Sequence, residues 1–305
     1  MLKRRTLQSA LGAVWLFDGL LQLKFPMFTG AFVQQVLLPN AQGQPAWIAD
    51  SIRSVAALSM PHIALYNALF AIVQLLIGGA LLANYRTRLT LVVSFVWALC
   101  VWWFGEGFGQ LLTGQTLLLA GAPGAVLIYA LIGVSVWPRQ HQKGTAGDGV
   151  GVASISEEGQ RFARWSIGTI WLLGAFLQLQ SPFLSPGGLA GSLMPGFAVR
   201  LVEGNGVPWT IALALLQLGI GIGILSRKRA HLFAFASIGV SLLFWWVGQS
   251  FGEFWTGTGT DPNSGPLMIL LTLCAVPTAW QALRARVIRG IMPEQGLDGR
   301  SSDIG

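Results

Sequence analysis

The sequence predicts an all-α integral membrane protein: eight transmembrane helices, arranged as two four-helix bundles in a parallel internal repeat, with both termini cytoplasmic. Three observations carry this. Just over half of the 305 residues are hydrophobic and only 10% are charged, with a mean hydropathy of +0.61. A soluble domain usually carries about a quarter charged residues, so this chain is too apolar to cover itself with polar surface in water. Apolar runs of about 20 residues, the length a helix needs to cross a bilayer, recur along the chain. Finally, the first half matches the second.

The spans fall near 7–25, 63–83, 89–112, 118–137, 163–180, 208–226, 231–255 and 265–282, the fourth and eighth being the least clearly bounded. None alternates with the period of two that a barrel strand would show. The first run follows Lys3, Arg4 and Arg5 like a signal peptide, but Asp18 interrupts it and no small-x-small cleavage site follows, so it reads as an uncleaved span.

Basic residues set the orientation. Lys3, Arg4, Arg5, Arg86, Arg88, Arg139, Lys143, Arg161, Arg164, Arg227, Lys228, Arg229, Arg284, Arg286, Arg289 and Arg300 all fall on one side of the predicted membrane, against Lys24, Arg53 and Arg200 on the other. By the positive-inside rule that first side is cytoplasmic. The net charge of +7 is therefore a topology signal and not a nucleic-acid surface.

The repeat is visible in WLFDGLLQLKFPMF (15–28) against WLLGAFLQLQSPFL (171–184), and in QLLIGGALLANYR (74–86) against QLGIGIGILSRKR (217–229). The first membrane repeat covers 1–139 and the second 161–286. Between them, 140–160 is polar and Gly-rich, the composition of a flexible cytoplasmic linker, and 287–305 is a cytoplasmic tail. Four spans per half is an even number, so both halves insert in the same direction. In the outer loop of the first half, AWIADSIRSVAAL (46–58) predicts a short helix with Trp47, Ile48, Ile52, Val55 and Leu58 on one side, either a lid or a packing helix.

Polar groups inside the spans are the candidate site, because an ionisable side chain in a bilayer is costly and usually faces the bundle interior. Asp18 lies near mid-membrane, and Glu106 and Glu253 towards the outer face. Glutamines accompany them: Gln22 and Gln178, Gln74 and Gln217, Gln110 and Gln249. WWFGEGFGQ (102–110) and WWVGQSFGE (245–253) hold one acid and one amide each, in exchanged order. The i, i+4 spacing predicts that Glu106 and Gln110 share a helix face, as do Gln249 and Glu253. Trp102 and Trp245 are either interfacial anchors or a wall for a flat ligand. The whole set is either interhelical glue or a site for a ligand head group or proton. Asp261-Pro262 reads as a turn former.

Cys100 and Cys274 are isolated in apolar runs and give no disulfide framework or zinc spacing. No metal-ligand set and no cofactor motif are legible.

With WLFDGLLQL followed by a proline, ALFAIVQLLIGGALLANYRTRL (68–89) and LALLQLGIGIGILSRKRA (213–230), each half resembles the DoxX-like (DoxX/DoxD) four-helix membrane unit, here in tandem. The resemblance implies a subunit of a respiratory or redox complex in the bacterial cytoplasmic membrane, a partnership with other membrane or redox subunits, and quinone as a ligand. A small-solute or proton transporter and a purely structural subunit are the alternatives, and whether the chain is an enzyme stays open.

Overall fold

The computed structural model describes residues 3–138, 154–194, 196–226 and 229–276. The predicted cytoplasmic tail, the end of the eighth predicted span and most of the predicted linker lie outside them. Among the described residues the chain is helical, and its one β-bridge is the isolated pair Lys3 and Ser154.

Ten α-helices follow in order: α1 (Arg4–Leu21), α2 (Ala46–Ser59), α3 (Ile63–Ala83), α4 (Thr87–Phe104), α5 (Ala125–Ser135), α6 (Glu157–Gln178), α7 (Gly196–Val202), α8 (Gly206–Leu225), α9 (Ala230–Val247) and α10 (Ser264–Ala275). Among the described residues, four helical stretches are long and apolar enough to cross a membrane: Ala46–Ala83, Thr87–Phe104, Gly206–Leu225 and Ala230–Val247. Each leaves large apolar side chains exposed, among them Leu65, Leu69 and Leu76 on α3, and Leu215 and Ile222 on α8. Such faces suit lipid and not water.

The other four predicted spans differ for physical reasons. α1 and α6 are long enough, but α1 carries Arg4, Arg5 and Asp18, and α6 opens on Glu157, Glu158, Arg161 and Arg164. α5 and α10 have only 11 and 12 residues, about 16–18 Å of helix at 1.5 Å per residue. The third span stops at Phe104 and not at residue 112, and the seventh at Val247.

α1 packs along α3, and α6 along α8; α5 and α10 contact each other and both α1 and α6. One hydrophobic core therefore runs through both halves, from Leu7, Leu11 and Trp15 to Trp171, Ile220, Phe244 and Leu271. Within it, Trp15 donates to Ser94 Oγ at 3.0 Å and Trp171 donates to Ser237 Oγ at 2.8 Å. A buried indole N–H without such a partner would cost roughly 1–3 kcal/mol.

α2 forms as predicted, but its buried side is Ile48, Ala49, Ile52, Ala56 and Ser59. Trp47 and Leu58 stay exposed. Ahead of it, Phe32–Leu37 is a π-helical turn and Leu38–Ala41 a 3-10 turn, and Phe32, Val33 and Leu37 pack in one apolar cluster with Ala56 of α2 and Ile63 of α3.

Candidate functional site

The segment after α4 departs from the expected helix. Gly107, Phe108, Gly109 and Gln110 have φ between 52° and 61°, a run in the left-handed region. After α9, Ser250, Phe251, Gly252 and Glu253 do the same, with φ from 44° to 78°. Glu106 and Gln110 therefore do not share a helix face, and neither do Gln249 and Glu253. Left-handed backbone costs an L-residue about 1–2 kcal/mol, and five non-glycine residues sit in these two turns.

Tertiary contacts hold both turns in place. Trp102 Nε1 donates to the Pro123 carbonyl at 2.7 Å, and Trp245 Nε1 donates to the Pro262 carbonyl, also at 2.7 Å. Phe108 packs edge-on against Trp102 with ring centroids 4.8 Å apart, and Phe251 against Trp245 at 5.0 Å. The glycines explain themselves here: a Cβ on Gly109 would lie 2.0 Å from the Pro123 carbonyl oxygen, and one on Gly252 2.6 Å from the Pro262 carbonyl carbon. Close packing thus demands glycine at both places, on top of their positive φ. Trp102 and Trp245 are structural donors and neither lines the main cavity.

Gln110 belongs to an outer cap. Its amide donates to Asn40 Oδ1 at 3.0 Å, while Gln44 donates to the Gly107 carbonyl at 2.7 Å and Asn40 to the Gly105 carbonyl at 2.6 Å. Gln178 and Gln217 pair with each other in the second half, Gln217 Nε2 donating to Gln178 Oε1 at 3.2 Å.

The remaining predicted residues of the first half converge. Asp18 and Gln22 on α1, Gln74 on α3, and Glu106 after α4 line one cavity of about 260 Å³. Three more polar residues join them that the sequence did not single out as site residues: Trp97 on α4, and Thr260 and Asp261 on the loop before α10. Phe32, Val36, Leu37 and Val55 roof the cavity, and Phe70, Val101, Phe104 and Val126 supply apolar wall. Asp261, read from sequence as a turn former, does cap its turn, accepting from Asn263 N at 2.7 Å and Thr260 Oγ1 at 2.8 Å. It is also a wall of the cavity, which only the folding of a distant loop over α1 brings about. Burial pushes its carboxyl above the usual carboxylate range, with those hydrogen bonds opposing.

Glu106 reaches the N-terminus of α5. Its Oε1 accepts from Val126 N at 3.2 Å, where the helix dipole favours negative charge. Gly124 leaves room for this, since a Cβ there would lie 2.2 Å from Glu106 Oε2. Beneath, the Tyr129 hydroxyl of α5 lies beside the Asp18 carboxyl without a hydrogen bond of normal geometry.

Five polar atoms on this cavity are buried with no partner: Asp18 Oδ1, Gln22 Oε1, Gln74 Oε1, Glu106 Oε2 and Trp97 Nε1. Buried polar groups are ordinarily hydrogen-bonded, and five orphans around one space amount to a set of unused contacts. Among the described residues, no Lys, Arg or His lines the cavity, and its three carboxyls make no salt bridge. No group of three acidic, His or Cys side chains there is placed to hold a metal ion.

A second cavity of about 240 Å³ adjoins the first through Thr260 and Asp261, and Gln249, Glu253, Thr258 and Asn263 line it. Gln249 is satisfied: its Oε1 accepts from Gly265 N at 3.0 Å and its Nε2 donates to Ser264 Oγ at 3.1 Å. Glu253 is exposed on the outer rim. Lys24 stitches the rim to the first half, donating to the carbonyls of Phe254 and Thr256 at 2.7 Å and Gly259 at 3.1 Å.

No protein-family model, curated protein or solved structure matches the chain.

Proposed function

We propose that this chain is a DoxX-like integral protein of the bacterial cytoplasmic membrane, a subunit accompanying a redox or respiratory complex, whose acid-lined cavity holds the polar head of a small membrane-soluble molecule. The five unpartnered polar atoms of that cavity carry the reading, because stability alone would have paired them or replaced them with apolar groups. Quinone is the ligand the DoxX resemblance implies; one of its carbonyls would accept from the Trp97 indole N–H, and the hydroxyls of its reduced form would donate to the unpartnered oxygens of Gln22 and Gln74.

The same proposal takes the chain as eight spans in two parallel four-helix repeats with cytoplasmic termini. Supporting it, α4–turn–α5 and α9–turn–α10 make the same indole-to-proline-carbonyl contact and the same acceptor-to-helix-N-terminus contact. α5 and α10 are short, and the non-helical stretches before them complete the crossing. Leu117, Leu118 and Leu119 are fully buried there, and irregular backbone is tolerated at membrane depth where protein surrounds it.

The test is gentle purification of the full chain from its native membrane, with mass spectrometry of what accompanies it. A bound small molecule and redox subunits are expected with the unaltered protein. The Asp18→Asn, Glu106→Gln variant should insert normally and lose the small molecule. Retention of the same molecule by that variant would sink the cavity as the site.

A further inference from the structure

The ligand chemistry of this cavity can be read from its charge. Asp18 is buried at 2% exposure with Oδ1 unpartnered, and Glu106, which lines the same cavity, has Oε2 unpartnered. The other orphans are two amide oxygens and one indole N–H. An anion would meet three carboxyls and no basic side chain. A bare inorganic cation would find no cluster of acidic ligands set to surround it, and around it mostly aromatic and aliphatic wall. What fits is a head that donates several hydrogen bonds and carries positive charge, attached to an apolar body.

The outer cavity points the same way. It carries Glu253 on its rim and Asp261 at the junction, with polar Gln249, Thr258 and Asn263 between, and no Lys, Arg or His in its lining. Thr260 and Asp261 belong to both cavities, so acidic groups continue from the exposed rim to the buried carboxyls; the one cation described on the rim, Lys24, is committed to the carbonyls of Phe254, Thr256 and Gly259. Clefts of one sign of charge raise the local concentration of the opposite ion.

We propose that the cavity binds a primary organic ammonium with an apolar body, which arrives past Glu253 and Asp261 and seats its head between Asp18 and Glu106, with its third N–H shared between the Gln22 and Gln74 oxygens. This rests on the reading of the cavity as a ligand site and names the class of that ligand. The aromatic side chains of Phe70, Trp97 and Phe104 would flank the body, and an ammonium beside aromatic faces gains cation–π attraction. The compensation of charge is mutual: a buried carboxylate without a partner is costly, and the ammonium is the partner that the protein itself does not supply.

The experiment is calorimetric titration of the full chain in nanodiscs of phosphatidylcholine with three probes: benzylammonium, benzyl alcohol and a short-chain benzoquinone. Benzylammonium should bind with a Kd at least tenfold lower than benzyl alcohol. Asp18→Asn with Glu106→Gln should weaken benzylammonium tenfold or more and leave benzyl alcohol unchanged. Glu253→Gln should slow benzylammonium association with a smaller effect on its equilibrium affinity. Where the double variant does not insert, Asp18→Asn alone, near-isosteric with the original, carries the same comparison.

Equal affinity for ammonium and alcohol overturns the proposal, as does an ammonium affinity indifferent to the carboxyl changes. Binding of the quinone in preference to the ammonium overturns the ligand class and leaves the cavity reading standing. Binding of none of the three overturns both.

Discussion

The stretch around Asp18 and the stretch that matches it in sequence around Gly174 are built from nearly the same residues and end in opposite states. In both, a tryptophan four or fewer positions earlier donates to a serine across the core, and a glutamine follows one turn later. Around Asp18 the space is open, and Gln22 and Gln74 face it with unpartnered oxygens. Around Gly174 the space is filled: Gln217 and Leu118 occupy the place where a side chain would stand, at 2.2 and 2.6 Å from an ideal Cβ. Gln217 and Gln178 close on each other. The same division separates Glu106, with one oxygen unused, from Gln249, whose amide is bonded at both ends. Gln217 Oε1 and Gln178 Nε2 are also buried without a partner, so the halves differ in space and not in the count of paired atoms. The first half opens its polar groups onto a cavity, whereas in the second they are packed shut, the arrangement expected when only one of two similar halves carries a site.

The largest effect should come from what the halves share. Gly109→Ala forces a methyl group against a backbone carbonyl and fixes an L-residue at positive φ. We expect a loss of about 3–5 kcal/mol, read as a collapse of the monodisperse detergent-purified species on heating. Gly252→Ala should be the milder of the two, since its nearest backbone atom is farther away. Equal tolerance of both changes would mean that the left-handed turns do not hold the loops before α5 and α10.

The next effect separates the halves. Gln217→Leu leaves Gln178 buried without its partner and should cost about 1–2 kcal/mol, within the range of interhelical hydrogen bonds in membranes. Gln74→Leu, the matching change, removes a side chain whose carbonyl has no partner and should leave stability unchanged or raised. The paired melting temperatures decide it, and equal losses at the two positions would break the contrast between an open and a closed half.

Much of this was legible in the sequence and some was not, and the division follows the range of the interaction. The apolar runs at 63–83 and 208–226 became α3 and α8 almost to the residue, because hydrophobic length is a local property. Asp18, Gln22, Gln74 and Glu106 were legible as polar residues where polarity is costly. The left-handed turns were not. Gly107 and Gly109 take positive φ at little cost, but Phe108 and Gln110 take it only because Trp102, Asn40 and Pro123 hold them there. Trp97 and Asp261 were invisible for the same reason. A tryptophan in an apolar helix and an aspartate before a proline have ordinary local explanations, and only the packing of α1 against the 260–261 loop gives them a shared wall.

The smallest effect is the most discriminating. A buried carboxyl with an unused oxygen is kept at a cost, and replacing it with a neutral isostere relieves that cost. Asp18→Asn preserves the shape, offers an N–H that Tyr129 or Gln22 can accept, and removes the charge that the cavity leaves unmatched. We expect it to raise stability by about 1 kcal/mol, measured as a higher melting temperature of the unliganded protein, while it loses the ammonium probe. A group that serves only as interhelical glue would behave in the opposite sense, losing stability with no change in binding. Gain of stability together with loss of binding is the combination that a site requires and packing does not, and it should be confined to the half that contains Asp18.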